Sequence, residues 1–319
     1  MTGIVTTPEV ATPPATAAAR PERRRSTRRR SGRGALVGWL FLLPATVFYI
    51  AFVLWPILST INYSFYDWNG ITPATFVGVQ NYVALVTQPE LLGSIINAFV
   101  LIIFFSLIPT ALGLVIAATI RGISGSRLAG IARVVLFLPQ IIPLVAAGII
   151  WTWLLSTDGL INQLLRGIGL GGITRAWLGD FTTALPAVGV IGAWVLLGLC
   201  TLLLLSGMSK LDPSLSEASR LDGAGAVREF LSITVPLLKA EIGVCITVTV
   251  IAALASFDII YIATQGGPGN STMVPGLQIF YLAFTQREVG LASALAVALM
   301  VLVLAVVLPI QRIFRGNDQ

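Results

Sequence analysis

The chain has 319 residues, of which 56% are hydrophobic and only 11% charged, with a mean hydropathy of +0.89. Soluble domains carry about 25% charged residues, so most of this chain belongs in lipid; the net charge of +6 does not point to nucleic acid, because eight of the twenty basic residues crowd between Arg20 and Arg33. Histidine is absent, which excludes histidine-ligated metal sites, Ser–His and Cys–His nucleophile pairs, and histidine proton relays.

Residues 1–33 are rich in Thr, Pro, Ala and Arg and lack any apolar period, which predicts a disordered tail. Its arginines read as a cytoplasmic topogenic signal that also touches anionic lipid. Residues 34–319 form a single membrane domain. Six apolar segments lie at about 35–59, 93–120, 131–155, 184–206, 241–263 and 289–311, each near the roughly 20 residues that cross a bilayer. Pro44, Pro56, Pro109, Pro139 and Pro143 predict kinks inside them. No segment alternates at strand period, which excludes a barrel. Cys200 and Cys245 both fall in apolar runs and read as packing residues, not a disulfide framework.

Orientation follows from the basic residues of the connections. With the N-terminus inside, seventeen Lys and Arg fall on the cytoplasmic side and only Arg166, Arg175 and Arg287 on the other. Both termini and the connection 207–240 are therefore cytoplasmic. The outer connections are short and rich in turn formers, with SFYDWNG in the first and QGGPGNST in the last.

The loop 207–240 is more elaborate than a simple link. Asp212 is placed to cap a helix opening at Pro213 and running to about Leu221. Gly223 and Gly225 break it, a second helix runs from about Ala226 to Ile233, and Pro236 is expected to turn the chain back to the membrane. Two readings compete: a helix resting on lipid headgroups, or a handle offered to a soluble protein. Glu217 and Asp222 would be repelled by anionic lipid, and Ala218 and Ser219 stand where insertion would favour Leu or Phe. Docking is the better reading.

Within spans, polar side chains are expected to face inward. Thr249, Ala253 and Ser256 recur at spacings of four and three, giving one small, weakly polar face, with Thr247 and Asp258 on a neighbouring stripe. Trp194 and Thr201 are seven apart on the fourth span. Helix packing is the competing reading for each. For Asp258, close to the outer end of its span, it is capping of the outer loop.

Glu217-Ala218-Ser219, three residues, Gly223, nine residues, then Ile233-Thr234-Val235-Pro236 resembles the Glu-Ala-Ala loop of binding-protein-dependent ABC importer permeases. LPQIIPLVAAGIIWTWLL, DGLINQLL, EASRLDGA and FDIIYIATQGGPGNST extend the likeness to the maltose-type carbohydrate permeases, and FDIIY with GGPGNST is closer to their F-type subunit. The resemblance implies an all-α integral membrane protein of the type I ABC importer permease fold, with six transmembrane helices. It implies four partners: a second homologous permease subunit, an ABC ATPase dimer carrying ATP-Mg, an extracytoplasmic solute-binding protein, and the lipid bilayer of a bacterial cytoplasmic membrane. The docking residues would be Glu217, Ala218, Ser219, Asp222, Gly223, Ile233 and Pro236, with Glu217 held by an arginine of the ATPase. The segments around Leu196–Cys200 and Thr249–Ser256 match those that line the family's substrate cavity.

The chain itself is expected to bind no cofactor and to hydrolyse nothing, since it has no GxxxxGK[ST] phosphate loop. A polyol or a glycerophosphodiester is the alternative cargo, but no predicted span has Lys or Arg in its interior to hold a phosphate. A stand-alone secondary transporter would need coupling groups at mid-membrane, where Asp258 is the single acid available.

Overall fold

The computed structural model describes residues 32–315; the tail of residues 1–31, with all but the last of its arginines, lies outside the described residues. The chain divides at Leu54 into two units. The first holds helix α1 (Gly32–Tyr49) and a π-helical turn, Ile50–Leu54, with Phe41, Phe48 and Phe52 exposed.

The second unit opens with α2 (Trp55–Tyr63), followed by a two-stranded antiparallel hairpin, β1 (Tyr66–Asp67) and β2 (Thr75–Phe76), in which Tyr66 faces Phe76. Helix α3 (Gln80–Thr87) leads to α4 (Pro89–Ile102), which continues through a π-turn at Ile103–Leu107 into α5 (Ile108–Gly122). Then come α6 (Arg127–Ile141), α7 (Leu144–Leu154), α8 (Leu160–Gly167) and the long α9 (Ala184–Met208). The cytoplasmic segment holds α10 (Pro213–Leu221), α11 (Ala226–Glu229), a π-turn at Phe230–Thr234 and α12 (Val235–Leu237). Helices α13 (Lys239–Leu254), α14 (Asp258–Ala263), α15 (Pro275–Phe280) and α16 (Val289–Phe314) complete the described chain.

Three of the π-turns share one cause. Those ending at Leu54, Leu107 and Thr234 are each followed two residues later by a proline: Pro56, Pro109 and Pro236. A proline ring clashes with the carbonyl four residues back. Widening the preceding turn to the i→i+5 pattern moves that carbonyl aside and keeps the helix running.

Four helical segments are long and apolar enough to cross a membrane: Phe41–Tyr63, Pro89–Gly122, Ala184–Met208 and Val289–Phe314. Two bent pairs raise the number to six if each counts as one span, with bends of 99° between α6 and α7 and 72° between Ala226–Leu237 and α13. The third predicted span, 131–155, is thus not one kinked helix. Ile142 precedes Pro143 and takes an extended conformation (ψ 128°), as a residue before proline is driven to do, so the helix ends. The fifth predicted span, 241–263, also breaks. Helix α13 stops at Leu254 and α14 begins at Asp258, with Gly276 seated against the Ser256 carbonyl.

Helix α9 is the axis of this unit and carries no charge, so both flanks can pack. A Cβ on Gly192 would overlap the Phe105 ring, and one on Gly198 would overlap the Leu136 carbonyl. Those two glycines let the π-turn segment and α6 approach the α9 backbone. One apolar cluster forms around Leu101, Phe105, Val188, Ile191, Ile260 and Leu277; a second, nearer the cytoplasmic end, forms around Ala117, Leu204, Met208, Leu238 and Cys245. On the outer side the buried Asn162 amide donates to the carbonyls of Ser156, Thr157 and Arg175, while its oxygen accepts from Trp177 Nε1 at 2.8 Å. One side chain therefore fixes the whole turn-rich connection.

Candidate functional site: a cytoplasmic hairpin and a pocket in the spans

The cytoplasmic loop folds as a helical hairpin. Asp212 Oδ1 accepts the Ser214 backbone N–H at 2.9 Å, which caps α10 behind Pro213. The Ser214 backbone N–H, followed by its hydroxyl, holds the Asp212 carboxyl below the usual carboxylate range. Helix α10 ends at Gly223, whose φ of +79° is left-handed, and the Ala224 N–H closes back on the Ser219 carbonyl at 3.0 Å. That six-to-one bond satisfies a carbonyl the helix would otherwise leave open. Gly225 differs: its φ of −73° suits any residue, and it serves as the cap of α11.

Across this break the Ser216 hydroxyl donates to the Glu229 carboxylate. Ser219 is buried, and its hydroxyl donates to the Ser216 carbonyl at 2.9 Å. The hairpin roots in the cytoplasmic apolar cluster through Phe230, Val235 and the fully buried Leu238. The chain turns to the membrane at Leu238, not at Pro236. Pro236 lies in the first turn of α12, where its missing N–H is harmless.

Much of the hairpin remains open. Glu217, Ala218, Asp222 and Pro236 are exposed and Ile233 is half-buried. On the same hairpin Leu221 is 89% exposed, Val227 72% and Leu231 60%, large apolar side chains on a polar loop of the kind found at protein contacts. A cavity of about 390 Å³ lies behind, lined by Arg121 from the end of α5 and by Ser216, Glu217, Glu229 and Phe230.

The pathway residues divide into two groups. Leu196, Ser256 and Asp258 come together with Phe105 and Phe257 around a pocket of about 190 Å³. Ser256 is buried and its hydroxyl has no partner. It does not share a helical face with Thr249 and Ala253 as its spacing suggests, because α13 has already ended and Ser256 stands in the break. Cys200, Thr249 and Ala253 are wholly buried. Thr249 Oγ1 lies 2.7 Å from Ser106 Oγ and 2.7 Å from the Cys245 carbonyl, within hydrogen-bond reach of both, so it ties α13 to the π-turn of the second span. Trp194 is half-buried and meets Trp151 edge to face at 5.6 Å, outside that pocket. Trp153 is 72% exposed, as a membrane-interface residue would be.

The sequence did not single out Phe105, Phe257, Ser216 or Glu229. Helical spacing carries no signal for them, because each acts across a break or between helices. Among the described residues no group of three His, Cys, Asp or Glu side chains could hold a metal.

Residues 110–314 match the model of the binding-protein-dependent transport system inner membrane component, and the chain belongs to that family of multi-pass membrane transport components. It is 34% identical to the probable ABC transporter permease protein YurN of Bacillus subtilis over 89% of this chain and 98% of that one. It is 31% identical to the diacetylchitobiose uptake permease NgcF of Streptomyces coelicolor (96% and 89%) and 31% identical to the trehalose/maltose permease MalF of Thermococcus litoralis (86% and 92%). The fold is that of a bacterial ABC transporter that imports the acidic polysaccharide alginate, with a TM-score of 0.76 at 21% identity, covering 90% of this chain and 98% of that one. A second structure of an alginate transporter, in complex with an alginate pentasaccharide-bound periplasmic protein, gives the same TM-score at 20% identity. The chain is accordingly a permease subunit of an ABC importer and not an enzyme.

Proposed function

We propose that this chain forms half of the translocation pathway of a carbohydrate importer in a bacterial cytoplasmic membrane. A second, homologous permease subunit supplies the other half. A pair of ATPase subunits carrying ATP-Mg docks on the hairpin 213–237, with Glu217 as its anchor, and an extracytoplasmic solute-binding protein delivers cargo to the opposite face. One observation carries the docking reading: Glu217, Leu221, Val227 and Leu231 are all exposed on a hairpin rooted in the core through Phe230, Val235 and Leu238. A neutral sugar fits the pocket chemistry, since Ser256 and Asp258 offer hydrogen-bonding groups, Phe257 offers an aromatic face, and no Lys or Arg lines it. The carbohydrate relatives NgcF and MalF support the same cargo class.

The test is Glu217→Ala in the co-purified transporter. Truncating one member of a buried, hydrogen-bonded interface pair costs about 2 kcal/mol or more, so ATPase retention should fall at least ~30-fold while membrane insertion is unchanged. Normal assembly together with normal transport in that variant refutes the docking role.

A further inference from the structure

Another cavity, larger than the pocket in the spans, lies where α13 and α16 meet at the cytoplasmic side, and it shares no lining residue with that pocket or with the cavity behind the hairpin. Its volume is about 710 Å³. One wall is Ala240, Gly243, Val244, Thr247 and Val248, which share a face of α13 at spacings of three and four. The other is Leu308, Gln311, Arg312 and Arg315, a matching stripe on α16. Thr247 is thereby placed: the face of α13 that bears it opens on this groove, not on the pocket of Ser256. Gly243 shapes the floor, because a Cβ there would overlap the Phe314 side chain that closes the groove.

The groove is graded. Val244, Val248 and Leu308 make its membrane end apolar, and Gln311, Arg312 and Arg315 make its cytoplasmic rim polar and cationic. No carboxylate among the described residues pairs with either arginine. The nearby Glu241 pairs with Lys210 at 3.8 Å and packs against Gly207. Arginines in a last turn also complement the helix dipole, but that role requires neither a groove nor a shared face.

We infer that this groove binds an anionic glycerophospholipid of the inner leaflet. Its acyl chain lies along Val244, Val248 and Leu308, and its phosphate sits between Arg312 and Arg315. Charge complementarity selects this occupant, since basic pockets between membrane helices on the cytoplasmic side take acidic headgroups. A sugar would find few partners there, and the apolar helix of another subunit would leave two arginines without a counter-charge.

The experiment uses the complete transporter in nanodiscs of phosphatidylcholine containing a minor fraction of phosphatidylglycerol, moved to mild detergent, with retained lipid counted by native mass spectrometry. Wild type should retain phosphatidylglycerol in preference to phosphatidylcholine. Each arginine at an anionic surface is worth roughly fivefold, so Arg312→Gln with Arg315→Gln should lower retention about 30-fold. Val244→Trp, which fills the apolar end and leaves the charge intact, should displace the lipid too. Arg127→Gln with Arg133→Gln, an equal loss of charge on the same face outside the groove, should leave retention unchanged. Equal loss in this control, no preference in the wild type, or capture of the second permease by a photocrosslinker at Thr247 would each overturn the assignment.

Discussion

The Ser216 hydroxyl donates a hydrogen bond to the Glu229 carboxylate and so joins the two helices of the cytoplasmic hairpin across its glycine break. Ser216 immediately precedes Glu217, which makes the bond a determinant of where that acid points. A hydrogen bond to a charged partner is worth about 1.5–3 kcal/mol net. Ser216→Ala should therefore raise hydrogen exchange over residues 213–237 by roughly ten- to a hundredfold, while Ser216→Thr preserves protection. Exchange measured on the assembled transporter decides the matter.

Gly223 and Gly225 should respond oppositely to the same substitution. Neither has a neighbour that a Cβ would strike, so the difference is conformational. Gly223→Ala places an L side chain at φ +79°, which costs about 1–2 kcal/mol and should lower ATPase stimulation by the binding protein. Gly225→Ala, at φ −73°, should leave it intact. Stimulated ATP hydrolysis of the two variants, side by side, is the measurement.

Ser256 and Thr249 form another contrasting pair. The Ser256 hydroxyl has no partner to lose, so Ser256→Ala should leave thermal stability unchanged and raise the transport KM. Thr249→Ala removes a buried bond to Ser106 and should lower stability by about 1–3 kcal/mol. Thermal unfolding and uptake kinetics on both variants separate a pathway residue from a packing residue.

Gly198 tests the crossing of α6 over α9. With the Leu136 carbonyl where a Cβ would stand, Gly198→Ala forces the helices apart and should cost about 1–3 kcal/mol as overpacking. The yield of folded protein in detergent and its melting temperature report this directly.

The six apolar runs and the sidedness of the chain were legible because hydropathy and arginine placement act residue by residue. The glycines and prolines between Glu217 and Pro236 marked two short helices with a break between them, but not which glycine is left-handed or that the chain turns at Leu238. Breaks inside apolar runs were not legible in the same way. The stretch 241–263 has no proline, and its only glycine, Gly243, lies far from the break. The interruption at Ser256 is stabilised by Gly276, twenty residues on, packing against its carbonyl. At Pro143 the signal was present in the sequence, but a kink and a 99° turn look alike when both flanks are apolar. The Ser216–Glu229 bond was out of reach for another reason, since it joins two helices whose relative angle no periodicity encodes.

The 72° angle at Leu238 makes the hairpin and α13 the two arms of a bell crank. The 16 residues of α13 form an arm of about 24 Å. A rotation of roughly 10° about Leu238 moves its far end by about 4 Å, and that end is the break that holds Ser256. Under the proposed docking at Glu217, a rotation of the hairpin would be carried along α13 to the residues bordering the pocket, with the buried Leu238 at the bend.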